Sequence, residues 1–219
     1  MLEEAKKKME EGWKARENLE FDKAEKLLLE AKEIFEKNED WFNVTETLNH
    51  LSYNEKLKAV HSNLRGMKFA KNAEELAGKY TVKKGSILRA LISLSSSAGL
   101  YEQALKYAKD ALDQTVKPMS KADLLSHAAV FYLRTGNINS ALDSINEAEE
   151  LMKNHFEEEG EPQRSIWKSK VLATKGLILY NLNDLENAKQ YMTEAYKLAL
   201  KQNLKTRMAE ISAQLELFN

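Results

Sequence analysis

Residues that could perform acid–base chemistry or hold a metal are few and scattered. Glu46 and His50 would share a helix face, but a di-metal carboxylate centre needs two such Glu/His pairs and two further carboxylates. No two histidines are four residues apart, as a helical metal site would require. We therefore interpret Glu46 and His50 as solvated surface and expect neither a metal site nor a cofactor. The histidines of the chain are His50, His61, His127 and His155.

The other reactive side chains lack the neighbours that catalysis needs. Four serines lie within residues 91–99, but no base is placed to activate one of them. The chain has no cysteine, which removes thiolate nucleophiles, thiolate metal ligands and disulfides. The acidic run at 157–161 could attract a cation or a basic partner, although a polar loop around Gly160 is the simpler interpretation. We predict that the chain is not an enzyme.

The composition favours helices. The 219 residues include only 8 Gly and 2 Pro, whereas an all-β fold needs many turns built from these residues. Chains of this size remove roughly 70% of their unfolded surface on folding, so a substantial core is available. Hydrophobic residues make up 43% and charged residues 31%, which is typical of a folded chain with solvated outer faces. An all-α fold is predicted.

Charge and hydrophobic patterning argue against two classes of partner. The 33 basic residues are offset by 34 acidic ones, and no basic stripe of the kind that binds nucleic acid is visible. No stretch approaches the roughly 18 apolar residues of a membrane-spanning helix. Residues 1–18 are charged throughout and lack the apolar core of a signal peptide. We expect a cytoplasmic protein that binds neither nucleic acid nor membrane.

Five segments of the chain resemble one another. Each has a small residue near its start and an alanine seven positions later, and this spacing places both on one helix face. Small side chains are needed where helices pack closely, because a bulky one costs roughly 1–3 kcal/mol by overpacking. The leading residues are Ala24, Gly66, Ala104, Ala141 and Ala188, and the closing alanines are Ala31, Ala73, Ala111, Ala148 and Ala195.

Each of these helices follows a second helical segment across a short join. Gly99, Gly136 and Asn183 each lie five residues before a leading small residue. Glycine and asparagine tolerate the left-handed conformation that ends many helices. Asn137 is a suitable cap for the helix that follows Gly136. The repeated segments therefore predict antiparallel helix pairs.

The repeats divide the chain into five predicted helix pairs and a closing helix, eleven helices in all. Ser120 and Asp123 predict a capping box at the start of the fourth pair. The second pair is the least regular, because His50 and Asn54 stand where apolar or small residues are expected. We predict a single repeat domain over 1–219, with units at about 2–38, 39–78, 80–116, 119–156 and 163–201 and a capping helix at 203–218.

The repeated unit resembles the tetratricopeptide repeat (TPR) family. The units are longer than the usual ~34 residues, as in longer-repeat variants of the family. The resemblance implies a right-handed α-solenoid of about five antiparallel helix pairs plus a C-terminal capping helix. It also implies a scaffold that holds a protein or peptide in a concave groove without performing chemistry. The fourth unit is the closest match, through Leu125, Ala128, Ala129, Tyr132, Gly136, Ile138, Ala141, Ile145 and Ala148.

The resemblance further implies which residues line the groove, since the family uses first-helix side chains beside the packing face. Apolar side chains mixed with Arg and Asn would suit an extended or helical peptide. The alternative is that Val130, Leu133, Leu177 and Tyr180 are core residues under the C-terminal helix. The predicted groove residues are Trp13, Arg16, Arg89, Ser93, Ser96, Ser126, Val130, Leu133, Arg134, Ala173, Leu177, Tyr180 and Asn181.

Three functional hypotheses follow, in order of preference. The first is a protein–protein interaction scaffold that binds a protein or peptide segment, with self-association through the groove or an end repeat left open. The second is a ligand- or peptide-sensing regulatory module that acts with a separate effector, and the third is a metal-dependent enzyme. Chaperone-binding TPR proteins clamp a carboxylate with Lys and Asn. We expect no such clamp, because the corresponding positions hold Met9, Trp13, Ser86 and Ala90.

Overall fold

The computed structural model describes residues 1–80 and 84–218. These residues contain helices and no strand, so the predicted all-α fold is confirmed. Short 3₁₀ turns follow two of the helices, at Phe156–Glu158 and Glu216–Phe218. The α-helices are α1 Leu2–Glu17, α2 Phe21–Lys37, α3 Trp41–Lys79, α4 Gly85–Ser97, α5 Tyr101–Asp113, α6 Pro118–Arg134, α7 Ile138–His155, α8 Gln163–Asn181, α9 Leu185–Lys201 and α10 Lys205–Leu215.

The chain divides into two compact units, Met1–Lys68 and Phe69–Asn219. In the first unit α1 packs against α2. In the second unit the pairs α4/α5, α6/α7 and α8/α9 each pack closely, α6 contacts α8, and α10 packs against α9. No described helix is long and apolar enough to cross a membrane.

The predicted small-residue face is the packing face of all four helix pairs. The leading and closing alanines of these pairs are buried. Gly176 in α8 shows how closely the helices approach, because a Cβ built on it would lie 3.0 Å from the carbonyl oxygen of Ala188 in α9. Gly12 in α1 lies equally close to α2, because a Cβ built on it would lie 2.9 Å from Leu28 Cγ and 3.3 Å from the Ala24 carbonyl oxygen. Backbones therefore meet at these positions, as the repeat pattern indicated.

The turns within the pairs share one backbone conformation. Gly99, Gly136 and Asn183 have φ of 74°, 80° and 63°, which confirms the predicted left-handed residues, and Leu19 occupies the same position in the first pair with φ of 62°. At Gly136 two backbone hydrogen bonds close the turn, from its own N–H to the Leu133 carbonyl (3.2 Å) and from the following residue to the Tyr132 carbonyl (2.8 Å). Such paired bonds satisfy the last carbonyls of the helix.

The second predicted pair, at about 39–78, is wrong, because these residues form the single helix α3. The described residues therefore contain ten α-helices where eleven were predicted. The position five residues before Gly66 is His61, which continues the helix and packs its ring 5.6 Å from that of Phe21. Residues 55–65 contain no glycine or proline that would end a helix there.

Candidate functional site

A polar cluster lies among the first helices of the pairs in the second unit. Its centre is Asp123 in α6, whose side chain is 1% exposed. The Asp123 carboxylate accepts hydrogen bonds from Arg89 in α4 and Lys170 in α8, so that one buried anion joins three helices. The two cations are more open, with side-chain exposures of 31% for Arg89 and 23% for Lys170. The accessible side of the cluster is therefore positive.

Arg89 is held from several directions. Its guanidinium donates to the carbonyl oxygen of Ser120 (3.2 Å) and to the hydroxyl of the same residue (2.7 Å). The guanidinium carbon also lies 5.9 Å from the centre of the Trp167 indole ring in α8. This distance is within the roughly 6 Å range of a cation–π contact. Contacts with α6 and α8 therefore hold Arg89 in place.

His127 is the neutral member of the cluster. Lys170 Nζ lies 3.0 Å from His127 Nε2, and an ammonium group has only donors, so Nε2 accepts and carries no proton. The imidazole stacks on Phe131, with ring centres 6.2 Å apart. Burial, assisted by the charge of Lys170, lowers the pKa of His127 from 6.5 to about 4. His127 is therefore neutral near pH 7 and adds a polar contact without another charge.

The carboxyl of Asp123 stays ionised despite its surroundings. Burial alone would raise its pKa, but the charges of Lys170 and Arg89 outweigh this effect and hold the pKa below its ordinary value. Two cationic partners compensate the Asp123 carboxylate for the water that it loses on burial. Removing either cation would leave the buried Asp123 carboxylate with only one cationic partner.

Arg207 of α10 adds a third cation beside the cluster. Its Nε donates to the Ser169 hydroxyl of α8 at 3.4 Å, and its guanidinium also pairs with Glu210 on the same helix. The positive charge of Arg207 contributes to the lowered pKa of His127, which places the two groups within electrostatic reach. Three cations thus border the cluster, and we call this set the basic line: Arg89 of α4, Lys170 of α8 and Arg207 of α10.

The predicted capping role of Ser120 and Asp123 is wrong. α6 begins at Pro118 with the proline in its first turn, so both residues lie inside the helix. Proline is favoured at the first helical position because it has no N–H to leave unpaired. Ser120 and Asp123 are instead contacts of Arg89.

The structure places the predicted groove residues in different environments. Ser126 and Ala173 are buried, and Arg16 is only 8% exposed, so these three side chains offer almost no surface to a partner. Arg89 is the predicted residue that takes part in the basic line. Binding by the remaining residues stays a prediction. Half-buried are Ser96, Val130, Leu133, Leu177 and Tyr180, and exposed are Trp13, Ser93, Arg134 and Asn181.

The alternative interpretation was that the apolar groove residues are core residues under the C-terminal helix. One contact, made by Tyr180, agrees with it. The ring of Tyr180 packs edge-on against Phe218 in the C-terminal 3₁₀ turn, with centres 5.3 Å apart. Val130 and Leu133 instead pack against the cores of the helix pairs. Part of the predicted groove is therefore ordinary packing surface.

Five residues of the cluster were missed as site residues from the sequence, namely Asp123, His127, Trp167, Lys170 and Arg207. A signal was present in α6, where Asp123 is the one charged residue within 122–131, a stretch that is apolar or small apart from His127. Burial of that stretch on all sides is what turns an isolated aspartate into the centre of a cluster. The positions of Lys170 and Arg207 relative to it depend on helix packing, which residue spacing alone does not provide.

A second concave feature of the second unit is a pocket of about 700 Å³ among α7, α8 and α9. Its floor includes Val171 and Leu172, and carboxylates of Glu149 and Glu194 stand in its wall. Tyr191 donates from its hydroxyl to Glu149 at 3.0 Å, and burial with the charge of Glu149 raises the pKa of Tyr191. None of the predicted groove residues lines this pocket. It is therefore a feature separate from the predicted groove.

Among residues 1–80 and 84–218, no group of three or more His, Asp or Glu side chains is placed to hold a metal ion. Glu46 and His50 lie on one face of α3, and burial together with the charge of Arg16 lowers the pKa of His50. Comparison with known proteins gave no match, either among protein-family models or among curated proteins.

Proposed function

We propose that the chain is a TPR-like interaction scaffold whose basic line binds an acidic segment of a partner protein. In this proposal the helix pairs stack as a right-handed α-solenoid, and the first helices of the second unit form the binding side. The resemblance of the repeats to the TPR family supports the architecture, and burial of the small-residue face in all four pairs agrees with it. A protein or peptide partner follows by analogy with that family.

The proposal rests on a difference in exposure: the Asp123 carboxylate is buried, whereas the two cations that bind it are partly exposed. The carboxylate is buried beneath Arg89 and Lys170, so an approaching partner meets the cations first. Half-buried cations in fixed geometry interact more strongly with an anion than fully solvated ones do, because water screens them less. The Trp167 ring next to Arg89 adds an apolar surface for the rest of a peptide.

The test is capture of partners by the purified chain, followed by mass spectrometry and binding measurements on the partner identified. Lys170→Met should weaken binding of that partner at least tenfold, and added salt should weaken binding to the wild type. Lys121→Met is the matched control, since Lys121 is a lysine of α6 that pairs with Glu147 of α7 and not with Asp123. Equal binding by Lys170→Met and the wild type would contradict the proposal, provided circular dichroism shows intact helices.

A second candidate function is the ligand-sensing module, which the pocket of about 700 Å³ favours. This volume is within the range of small-molecule sites, roughly 300–1,000 Å³, and the lining surrounds Val171 and Leu172 with mostly polar and charged side chains. A small molecule that binds there would raise the melting temperature by mass action. Stabilisation by such a ligand, without any acidic protein partner, would favour this function over the first.

A further inference from the structure

Helix α3 carries an apolar stripe that remains exposed in the first unit. The stripe consists of Tyr53, Leu57, Val60 and Leu64, whose exposed fractions are 50%, 38%, 50% and 63%. The steps between them alternate between four and three residues, which is the spacing of a heptad seam in a two-helix coiled coil. Single exposed apolar residues are common on protein surfaces, but four in this spacing form a continuous strip.

The rotation of α3 about its own axis is set by contacts on another face. Thr47 and Asn54 are buried, and Asn54 Nδ2 donates to the carbonyl oxygen of Phe21 at 3.1 Å. Lys58 pairs with Asp22 of α2 at 2.8 Å. These contacts leave the stripe facing outward, so α1 and α2 do not cover it.

We propose that the stripe binds the same stripe of a second copy of the chain, with the two α3 helices antiparallel around a two-fold axis. The midpoint of the stripe lies between Lys58 and Ala59. Tyr53 and Leu64 are equidistant from this midpoint, as are Leu57 and Val60. An antiparallel pair therefore places each apolar residue opposite another, in the a-to-d layers of an antiparallel coiled coil.

Charge at the two ends of the stripe selects this orientation. Glu46 extends the seam at its N-terminal end, and Lys68 flanks it at its C-terminal end. In the antiparallel pair the position opposite Glu46 is residue 71 of the second copy, so Lys68 lies three residues, about 4.5 Å along the helix axis, from the point opposite Glu46. A lysine side chain spans this offset, and the two-fold axis produces the pairing twice. A parallel pair would place like charges side by side, which is unfavourable. The proposal concerns the first unit and is independent of the partner proposed for the basic line.

Sedimentation equilibrium of the full chain tests the association. The wild type should be a dimer, and Leu57→Glu should raise the dissociation constant at least tenfold while circular dichroism stays unchanged. Leu29→Glu is the control, because Leu29 in α2 is a similarly exposed leucine (44%) of the same unit that lies outside the stripe. A monomeric wild type, or equal weakening by both variants, would overturn the proposal.

Cross-linking and charge exchange test the orientation. The chain has no cysteine, so single cysteines can be introduced without a background. A mixture of Tyr53→Cys and Leu64→Cys chains should form the mixed disulfide dimer, whereas Tyr53→Cys linked mainly to itself would show a parallel pair and overturn the proposal. Glu46→Lys should weaken the dimer, and the double variant Glu46→Lys, Lys68→Glu should restore it. A double variant weaker than Glu46→Lys alone would contradict the proposed charge contact.

Discussion

At the scale of single residues, the cluster around Asp123 shows how burial and neighbouring helices determine the charge state of a side chain. Asp123 and His127 are one turn apart in α6, yet one is held charged and the other neutral. Burial disfavours the charged form of both groups. At Asp123 the charges of Lys170 and Arg89 outweigh burial, whereas at His127 the charge of Lys170 acts in the same direction as burial. Each partner lies on another helix, so this behaviour depends on the packed fold.

The lowered pKa of His127 predicts a pH dependence of stability. Since the pKa falls from 6.5 to about 4 on folding, the unfolded chain binds the proton more readily in this window. Stability should therefore fall as the pH drops from about 6.5 towards 4, with His127 contributing roughly 1–3 kcal/mol. Urea unfolding of the wild type and of His127→Gln at several pH values measures the contribution. The variant should show a shallower slope, while His50 accounts for part of the slope that remains.

An unchanged slope in His127→Gln would contradict the assignment. Glutamine is chosen because its side-chain oxygen can still accept a hydrogen bond from Lys170, so the comparison removes mainly the titration. Protonation of Asp123 would add a further loss of stability only below its ordinary pKa of 3.8, outside the window used.

At the scale of helices, three of the four pairs could be predicted from turn residues that tolerate positive φ, whereas the first pair, with Leu19 in its turn, was predicted from its small residues. Gly99, Gly136 and Asn183 are these turn residues, and the small residues that follow show which face packs. Helix α3 was predicted wrongly because the recurrence of Gly66 and Ala73 was given more weight than the absence of a helix-ending residue in 55–65, where His61 stands in place of the turn residue. The basic line could not be predicted, since it depends on how α4, α6, α8 and α10 pack against one another.

Close packing of α8 on α9 predicts that Gly176→Ala destabilises the second unit. The new Cβ would lie 2.7 Å from Met192 Cγ and 3.0 Å from the Ala188 carbonyl oxygen, so the helices must separate. We expect a net loss of about 1–3 kcal/mol in the free energy of unfolding, despite the better helix propensity of alanine. Gly85→Ala is the control, because no atom lies within 4 Å of its Cβ position. Thermal unfolding in which Gly176→Ala matches the control would rule out the close contact.

At the scale of the whole molecule, the chain has two compact units that share one repeat design. Ala31 in the first unit and Ala148 in the second occupy the same position of the repeat, and both are fully buried. The division falls within α3, at Lys68 and Phe69, so a single helix belongs to both units. Each unit packs mainly within itself, and where contacts are local, stability is a sum of local terms. A change in one unit should therefore remain largely local.

Hydrogen exchange of paired variants tests this independence. Ala148→Leu should cost about 1–3 kcal/mol by overpacking and speed amide exchange in α6 to α9, while amides of α1 and α2 keep their wild-type rates. Ala31→Leu should produce the reverse pattern, and Ala209→Leu, at an exposed position of α10, should change neither unit. If every slowly exchanging amide accelerates equally in both buried variants, the chain unfolds as one cooperative body. The single repeat domain over 1–219 would then describe its energetics better than two units do.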